Sequence, residues 1–560
     1  MSVRFDEPRI AAWPTDSLVD ANQSTGIASR RSGWLEWQGF RYQLALLLGC
    51  WLVLVSRHWD NDGLWFQGDA PRHVMNGIFW RDLIHEGLAD PFGYARGYYE
   101  QYPAIMPNRY PPLFYFLEVA AFECFGNSAY VAKGLVQLFA LVSGFYLLIA
   151  MRRWISPRAG SVAGLLMLLP GMVAWSNAVM LNVPAMAFSL GALFHVRRGI
   201  ESQVRSIAVN QFILAIALGT LAIFFHPTIG YVLLILGGWV LASNKAPLLL
   251  DKRLSIVGGL IIVGLVAMVT VILLVSPEQI KQANVEIGRL TRWRSIGFYS
   301  RALPELVGWP VLFLSLPGLI FGWCDRRFRS DTWRLLMACM VAYLVLSLIW
   351  AKDARYFLLA CPTCVWCIGY AVEGWFQWMT GRWNSSRSRV LQFVSVCLVG
   401  GLCLVGIRDE KFRNTRAFES LVSRIEGFSP DESVLYDGVF DGVFVYHVRI
   451  HDPRKLRKVV LARKLLSTDS KGENPLGLEE RRNRIIESGC RWLLSEQWPE
   501  DRQKAKDLKL REIVGMEGME FIERVELGPS LPDVWLVRIG PAISKNRLDF
   551  QGSREGVFDE

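Results

Sequence analysis

The sequence predicts a polytopic α-helical membrane protein that ends in a C-terminal α/β soluble domain. Apolar runs of about 17–25 residues, the length needed to cross a hydrocarbon core of about 30 Å, recur along most of the chain. Hydrophobic residues occupy 52% of the 560 positions, which is more than a soluble chain of this length usually carries. The polar stretch 408–560 is long enough to fold as a separate domain.

About eleven membrane spans are predicted between residues 41 and 407, which we take as the transmembrane domain. They lie at about 42–58, 128–150, 159–176, 184–197, 206–224, 227–243, 254–276, 305–323, 333–350, 355–375 and 389–407.

Basic residues in five short loops indicate the orientation of the chain. With a cytoplasmic N-terminus, the loops MRRWISPR, RRGIESQVR, NKAPLLLDKR, DRRFRSDTWR and GRWNSSRSR all lie inside, and each contains at least three Lys or Arg. Cytoplasmic loops are normally enriched in these residues. The formal charge of +10 is therefore explained by membrane topology and not by a nucleic-acid-binding face. We expect a multi-pass protein of the inner (plasma) membrane, with residues 408–560 on the periplasmic or extracellular side.

Two polar regions precede the second span. Residues 1–40 are predicted to be a disordered cytoplasmic tail, without the short apolar core of a cleavable signal peptide. Residues 59–127 form the first outer loop. Within it, 111–126 (PPLFYFLEVAAFECFG) is short, starts with two prolines and carries two glutamates, so it is predicted to be a juxtamembrane amphipathic helix in the outer interface. As a span, it would move every later basic loop to the outside.

The region from 408 onwards alternates strand-like and helical patterns. The runs SVLYDGVF, VFVYHVRI, RKVVLA, CRWLLSE and VWLVRIG are typical of strands, and residues 476–488 have a helical pattern. A small α/β domain on the outer face is predicted. It could cover a site, select a substrate or bind a partner, and the sequence does not choose.

Three charges interrupt the apolar sequence at WAKDARYF, on the outer turn between the spans at 333–350 and 355–375. The other short outer turns carry no basic residue, so Lys352 and Arg355 are not needed as orientation signals. Two cations beside a helix N-terminus suit a phosphate at headgroup depth, with Asp353 orienting one of them. The alternative is that both basic side chains snorkel to the surface from a helix end.

Asp69 is the candidate general base. It follows the first span by about ten residues, close to the interface, and Arg72 comes three residues later. A carboxylate there could take a proton from an attacking hydroxyl or amine. The alternative is a helix N-cap, because GDAPRHVMNGIF has Asp at the cap position and Pro in the first turn. The two roles are compatible, since a cap also fixes the carboxylate.

Four segments occur in an order that resembles a known superfamily. They are GDAPRHVMNGIFWRDLIHEG, NRYPPLFYFLEVAAFECFGNSAYVAKGL, NAVMLNVPAMAF and AKDARYFLLACP. In this order they resemble the GT-C membrane glycosyltransferases, nearest to the bacterial branch that includes the protein O-mannosyltransferases and the lipid A aminoarabinose transferase. The resemblance covers roughly residues 40–410. It implies the GT-C fold and a sugar donor carried on a polyprenyl phosphate, with transfer on the outer face.

The resemblance assigns roles to individual residues. Asp69 and Arg72 match the first acid and the arginine of the family's D-E-x-R-Y pattern, whose acid is the presumed base. Here Ala70 replaces a second acid, and His73 stands where an aromatic is common. NRYPPL resembles the family's E-K-P-P-L or Y-P-P-L segment, in which Arg109, displaced by one position, would replace a lysine near the donor phosphate, and Tyr110 would line the site. Asn182 in MLNVP stands where many relatives carry Asp. Lys352, Arg355 and Tyr356 match the K-x-x-R-Y signature of the late outer turn, which implies that they bind the donor phosphate.

Several other features have competing interpretations. His226 in FFHPTIG lies on an outer turn and is either structural or part of the site. The cysteines of CPTCVWC are interpreted as small packing residues on a span and not as metal ligands. The aromatics of GYARGYYEQY could stack on sugar rings or anchor the chain in the interface.

The predicted reaction is a metal-independent single displacement. A hexosyl or pentosyl group would move from a polyprenyl phosphate to an acceptor on the outer face, with Asp69 as base and cations at the leaving phosphate. No glycine-rich nucleotide loop occurs, which fits a lipid-linked donor. We expect no cofactor, and the missing acid at Ala70 argues against a bridged metal, although a need for a divalent metal stays open.

The predicted partners are membrane lipids, a polyprenyl-phosphate sugar and a glycolipid, polysaccharide or protein acceptor, with no nucleic acid. One alternative function is a polytopic transporter of a lipid or small solute. Such proteins usually contain internal repeats and broken helices, whereas the polar residues here gather on one face. The other alternative is a catalytically inactive GT-C-like scaffold.

Overall fold

The structure is a computed structural model. It describes residues 25–56, 63–65, 69–106, 110–275, 297–349, 352–380, 401, 414–415, 417–426, 432–466, 476–497, 519–527 and 532–540.

The part of the chain before residue 381 is helical. Its helices are α1 (Thr25–Ser56), α2 (Ala70–Asp82), α3 (Pro91–Gln101), α4 (Leu113–Phe125), α5 (Ala129–Trp154), α6 (Pro170–Asn177), α7 (Asn182–Glu201), α8 (Arg205–Phe225), α9 (Tyr231–Leu241), α10 (Lys252–Val275), α11 (Phe298–Val307), α12 (Trp309–Cys324), α13 (Arg326–Leu348) and α14 (Ala360–Thr380). α1 also includes residues 25–40, where the sequence predicts a disordered tail.

Several of these helices have the length and composition of membrane spans. Among the described residues, four helices are long and apolar enough to cross a membrane, or six if each of two bent pairs is counted as one span. The predicted span at 159–176 is one such pair, a 3₁₀-helix followed by α6 with a bend of 53°. The span predicted at 305–323 bends by 104° between α11 and α12. The predicted span at 389–407 lies almost wholly outside the described residues, so the total of eleven stays a prediction.

The predicted first outer loop contains the short helices α2, α3 and α4. α4 has 13 residues, about 20 Å, which is too short to span the hydrocarbon core. Glu118 of α4 is completely buried, with Oε2 close to Gly77 of α2, and burial raises its pKa well above the ordinary range. Glu123 is exposed on the surface, and its Oε1 lies 2.6 Å from Nε of Arg81. The two glutamates that marked this helix in the sequence therefore lie in opposite environments.

The polar C-terminal region contains a five-stranded mixed sheet with helices, which we call the outer domain (described residues between 414 and 539). The sheet order is β4-β3-β5-β7-β6, with β3, β4 and β5 parallel and β6 and β7 antiparallel to their neighbours. Its elements are β3 (Val434–Asp437), α16 (Asp441–His451), β4 (Val459–Leu461), α17 (Ala462–Leu465), α18 (Leu478–Glu487), β5 (Trp492–Gln497), β6 (Met519–Val525) and β7 (Asp533–Ile539), and they follow β2 (Asn414–Thr415) and α15 (Ala417–Glu426).

One predicted strand of this domain is a helix. The run VFVYHVRI forms most of α16, and residues 441–449 are all buried. An apolar run that is buried on every side has no polar face to reveal its period, so strand and helix cannot be told apart from periodicity. The sequence also gave no strand at β6, where exposed glutamates alternate irregularly with apolar residues.

The outer domain is attached to the first outer loop by backbone and side-chain contacts. Leu64 and Trp65 form a short strand, β1, which pairs antiparallel with β2. At the C-terminal end of α2, Asp82 forms an ion pair with Arg449 of α16. Its Oδ2 lies 2.6 Å from Nη2 of Arg449, and both side chains are buried. The Tyr98 hydroxyl donates to the same Asp82 oxygen at 2.9 Å. The contacts with Asp82 lie at the C-terminal end of α2, and the β1–β2 ladder lies before Asp69 at its N-terminal end.

Candidate active site

The carboxylate of Asp69 lies in a polar cluster at the outer end of the membrane helices. Asp69 occupies the capping position of α2, but its side chain makes no cap hydrogen bond to the described residues of that helix. Its Oδ2 instead accepts hydrogen bonds from the Tyr110 hydroxyl and from Nη2 of Arg355, both at 3.2 Å. Asp69 is only 8% exposed. Capping therefore does not account for this aspartate, whose carboxylate faces other parts of the chain.

Arg355 reaches Asp69 from a 3₁₀-helix, Ala354–Phe357, that precedes α14. Asp353 begins this turn, because its Oδ1 accepts a hydrogen bond from the backbone N–H of Arg355 at 3.1 Å. Its Oδ2 lies 3.0 Å from Nε of Arg355, an ion pair without the alignment of a hydrogen bond. Burying a guanidinium is costly unless carboxylates neutralise it. Asp353 and Asp69 do so here, and Asp353 fixes the orientation of Arg355.

Arg72 lies on the other side of the Asp69 carboxylate. Its Nη1 is 3.9 Å from Oδ1 of Asp69, and its Nη2 is 3.6 Å from Oδ2 of Asp441 at the start of α16. Asp441 also forms an ion pair with Arg463. The outer domain thus contributes charged groups to the cluster, and nothing in the sequence linked Asp441 to residues some 370 positions earlier.

Aromatic rings line one wall of the cluster. The ring centroids follow one another from His73 to Tyr110 at 4.9 Å, from Tyr110 to His226 at 5.8 Å, and from His226 to Tyr356 at 5.6 Å. Nδ1 of His73 is 2.9 Å from the hydroxyl of Tyr115, which is completely buried. The structure therefore brings together His73, Tyr110, His226 and Tyr356, which come from four separate segments.

The loop between α6 and α7 packs under Arg355, and sequence reasoning did not single out its contacts. Sδ of Met180 lies 2.8 Å from Nη1 of Arg355, and the Trp175 ring centroid lies 6.0 Å from its guanidinium. Val179, between them in sequence, has φ of 52°. A β-branched residue rarely adopts a positive φ, and such strain persists only where the surroundings impose it. No residue in NAVMLNVP is of a type that predicts a positive φ at Val179.

Two predicted site residues take no part in the ion pairs of this cluster, and a third lies outside the described residues. Lys352 donates hydrogen bonds to the carbonyls of Leu346, Ser347 and Ile349, at 2.9, 2.7 and 2.5 Å, so its ammonium closes the C-terminal end of α13 in this structure. Asn182 is buried at the start of α7, and its Oδ1 has no hydrogen-bond partner among the described residues. Arg109 lies outside the described residues. A phosphate role for any of the three stays a prediction.

No group of three or more His, Cys, Asp or Glu side chains in the described part of the chain is arranged to hold a metal ion. Cys361, Cys364 and Cys367 are free and buried on α14.

An apolar groove begins next to the polar cluster and runs between the membrane helices. Its cavity volume is about 90 Å³, and Phe357, two residues after Arg355, lines it together with Leu359 and Ala342. The far end is lined by Trp154, Arg197, Asp331 and other residues, and Arg197 pairs with Asp331 at 2.5 Å. Ala342 and Asp331 are eleven residues apart on α13, which corresponds to about 16 Å of helix, or half the hydrocarbon core.

Comparison with known proteins relates this fold to membrane glycosyltransferases. The family model of the dolichyl-phosphate-mannose-protein mannosyltransferases matches residues 109–273. No curated protein sequence matches the chain.

Solved structures resemble a larger part of the chain. ArnT from Cupriavidus metallidurans bound to undecaprenyl phosphate is 14% identical with a TM-score of 0.63, over 90% of this chain and 98% of ArnT. The apo state of the same ArnT gives a TM-score of 0.56, again at 14% identity and over 90% and 98% of the two chains. The archaeal oligosaccharyltransferase AglB from Archaeoglobus fulgidus, in complex with an inhibitory peptide and a dolichol-phosphate, is 11% identical with a TM-score of 0.50, over 81% and 69%.

The structural likeness covers both the membrane helices and the outer domain, and the family model covers the segment from α4 to α10. The sequence resemblance is thereby confirmed at the level of the superfamily and of its mannosyltransferase and ArnT relatives. The chain therefore has the membrane-protein fold of ArnT, and its residues 109–273 are similar to the dolichyl-phosphate-mannose-protein mannosyltransferases.

Proposed function

We propose that this protein transfers a sugar from a polyprenyl-phosphate-linked donor to an acceptor on the outer face of the membrane. The observation that carries the proposal is the contact between Asp69 and Arg355 at the outer end of an apolar groove. The proposed transfer uses three features of this region: a carboxylate to accept the acceptor's proton, a guanidinium to bind the phosphate, and a groove to hold the lipid chain. The related ArnT was solved with undecaprenyl phosphate bound, which supports a donor of this class.

The donor would lie across the boundary between the polar cluster and the groove. Its phosphate would be bound by Arg355, which can make two parallel hydrogen bonds to phosphate oxygens, with Arg72 contributing a second positive charge. Its lipid chain would follow Phe357 into the groove. In the bilayer the lipid chain of the donor is already surrounded by hydrocarbon. The groove would therefore position this lipid chain and pack against it, and would gain little free energy from removing apolar surface from water.

The proposed reaction is a single displacement at the anomeric carbon. The acceptor oxygen or nitrogen forms a bond to this carbon while the bond from the carbon to the phosphate oxygen breaks. The acceptor proton passes to Asp69, and the electron pair of the broken bond stays on the phosphate, which leaves with an additional negative charge. Arg355 would stabilise that charge in a largely dehydrated site. Attack opposite the leaving phosphate inverts the configuration of the sugar.

Donor binding would also change the environment of the base. In this structure Arg355 is paired with Asp69, and a paired carboxylate is a weaker base than an unpaired one. A donor phosphate competes for the same guanidinium and brings a negative charge beside Asp69. Both effects raise the proton affinity of Asp69, so the base would become effective when the donor is in place.

The positive-inside pattern and the position of the outer domain support an active site on the periplasmic or extracellular face of the inner membrane. An acceptor there would be a glycolipid, a polysaccharide or a protein. Charge stabilisation by arginines would require no metal ion, and we propose a metal-independent reaction.

The experiment is donor turnover by the purified full-length protein in lipid nanodiscs. Radiolabelled polyprenyl-phosphate hexoses and pentoses are supplied with an extract of outer-face glycolipids, and polyprenyl phosphate release is measured. We expect Asp69→Asn to lose at least about 1000-fold in kcat while still binding polyprenyl phosphate. Asp90→Asn is the matched control, because Asp90 caps α3 and Asn caps equally well.

Full activity of Asp69→Asn would overturn the assignment of the base. Binding of polyprenyl phosphate by the wild type without turnover of any donor would instead indicate an inactive GT-C-like scaffold. Movement of a labelled lipid or solute across the bilayer, without sugar transfer, would indicate a transporter.

A further inference from the structure

The outer domain reaches the Asp69 cluster through the first turn of α16. Asp441, the first residue of this helix, is 4% exposed, although it carries a carboxylate. The next residue, Gly442, packs directly on α2, because a Cβ there would lie 3.2 Å from Cβ of Pro71. The starts of α2 and α16 therefore meet, and a larger residue at position 442 would push them apart. This contact places Asp441 beside Arg72, the residue after Pro71.

Arg72 lies between a carboxylate of each helix. Its Nη2 is 3.6 Å from Asp441, and its Nη1 is 3.9 Å from Asp69, so the outer domain holds this guanidinium slightly more closely than the candidate base does. Arg72 has 20% of its side chain exposed, which leaves little room for other positions. Its place beside Asp69 thus depends on a charge from the outer domain.

Among the described residues that form these ion pairs, the positive and negative charges are equal in number. Arg72, Arg355 and Arg463 face the carboxylates of Asp69, Asp353 and Asp441 through ion pairs. The proposed donor is a phosphodiester with one negative charge, whereas the product, a polyprenyl phosphate, approaches two charges at neutral pH. A site with an excess of positive charge would therefore retain the product more strongly than the donor.

We propose that Asp441 is a positioning residue of the transfer reaction, which rests on the proposed function. It holds Arg72 beside Asp69 and offsets the positive charge that would otherwise retain the polyprenyl phosphate product. The outer domain is in this sense part of the active site, since it sets both the position and the effective charge of an arginine in the membrane domain.

The test is the variant Asp441→Asn, which removes one charge and keeps the shape. We expect kcat to fall about tenfold, because Arg72 moves and product leaves slowly. The inhibition constant of added polyprenyl phosphate should fall about tenfold, and the donor KM by a smaller factor, because the donor carries less charge. Asp441→Glu keeps the charge and should restore the wild-type inhibition constant.

Glu523→Gln is the matched control, because Glu523 is a carboxylate of the same domain that pairs with Arg424 far from this contact. It should leave both constants unchanged. A purely structural role of Asp441 would lower the fraction of folded protein and leave product inhibition as it is, and that result would overturn the proposal. So would an unchanged kcat in Asp441→Asn.

The binding of polyprenyl phosphate is also measured directly by native mass spectrometry, without turnover. Tighter binding by Asp441→Asn than by the wild type supports the charge-balancing role even if no donor is turned over. Absence of turnover in the wild type would contradict the proposed function alone. Equal binding by the two proteins would contradict the role of Asp441 alone.

Discussion

Arg355 donates from Nη2 to Oδ2 of Asp69 at 3.2 Å, across 286 positions of sequence. Both side chains are buried. The sequence predicts each of them to be a functional residue of its own segment. Their contact joins the first outer loop to the turn before α14. It also joins the proposed base to the proposed phosphate ligand, so that the two opposite charges partly neutralise each other.

Replacing Arg355 by Lys should reduce kcat/KM by at least about 100-fold, although the charge is conserved. A lysine has a single ammonium and cannot contact Asp69 and a phosphate in the parallel geometry of a guanidinium. Steady-state kinetics in nanodiscs measure the effect. A loss of less than threefold would show that Arg355 acts only as a surface charge.

Lys352→Met should affect stability more than donor recognition. The ammonium donates to three carbonyls at the end of α13, and losing these bonds should cost about 1–3 kcal/mol. We expect a lower Tm in detergent and a donor KM within threefold of the wild type. A tenfold rise in KM at unchanged Tm would instead establish the phosphate role predicted from the sequence.

His447 should make the outer domain sensitive to acid. Burial lowers its pKa from 6.5 to about 4. Between these values the unfolded chain binds a proton that the folded chain does not, so stability falls as the pH drops from about 6.5 to 4. The loss approaches about 3 kcal/mol at pH 4.

Denaturant unfolding of the full-length protein, followed by tryptophan fluorescence between pH 4 and 7, measures this dependence. His447→Gln should flatten the pH dependence in that window. An equally steep profile in the variant would assign the acid sensitivity to other groups.

Gly318→Ala should disrupt the packing of α12 on α14. A Cβ at this position would lie 1.8 Å from the carbonyl oxygen of Cys367, so the helices would have to separate. We expect a loss of more than about 2 kcal/mol and a smaller fraction of monodisperse protein in detergent.

Gly258→Ala serves as the control for this substitution. No atom of the described residues lies within 4 Å of a Cβ at position 258 in α10, so the change should be neutral or stabilising. Equal behaviour of the two variants would argue against a close helix contact at Gly318.

Transfer should persist in the presence of EDTA. Arginines surround Asp69, and the position where relatives carry a second acid is Ala70, so cationic side chains would supply the charge stabilisation. Initial rates are compared before and after chelation and dialysis. A loss of activity that Mg²⁺ or Mn²⁺ restores would show that a metal takes part.

Sequence patterns were sufficient for the class of fold and for the residues around Asp69. Long apolar runs reported the membrane helices, since crossing hydrocarbon requires a minimum length. The charges of Asp353 and Arg355 stand between apolar runs, where a charge is costly, so the sequence predicts that these two residues are functional. These signals are local, and each can be found within a dozen residues.

The remaining parts of the site depend on contacts between distant segments. Asp441 and Met180 have no local feature that distinguishes them, and they enter the cluster only because α16 and the loop after α6 pack there. Lys352 shows the reverse. Its sequence context predicts a phosphate ligand, which stays a prediction, whereas the contacts that its ammonium makes in this structure are with three carbonyls at the end of α13.

The short ladder between β1 and β2 has a consequence for dissection of the protein. Leu64 pairs with Thr415 and Trp65 with Asn414, only a few residues before Asp69. A chain cut after residue 407 would lack this partner strand, and the segment that leads into Asp69 would have an unpaired edge. We therefore expect that a membrane domain truncated there would not hold the segment before Asp69 in the conformation described here, so that the two halves of the chain have to be studied together.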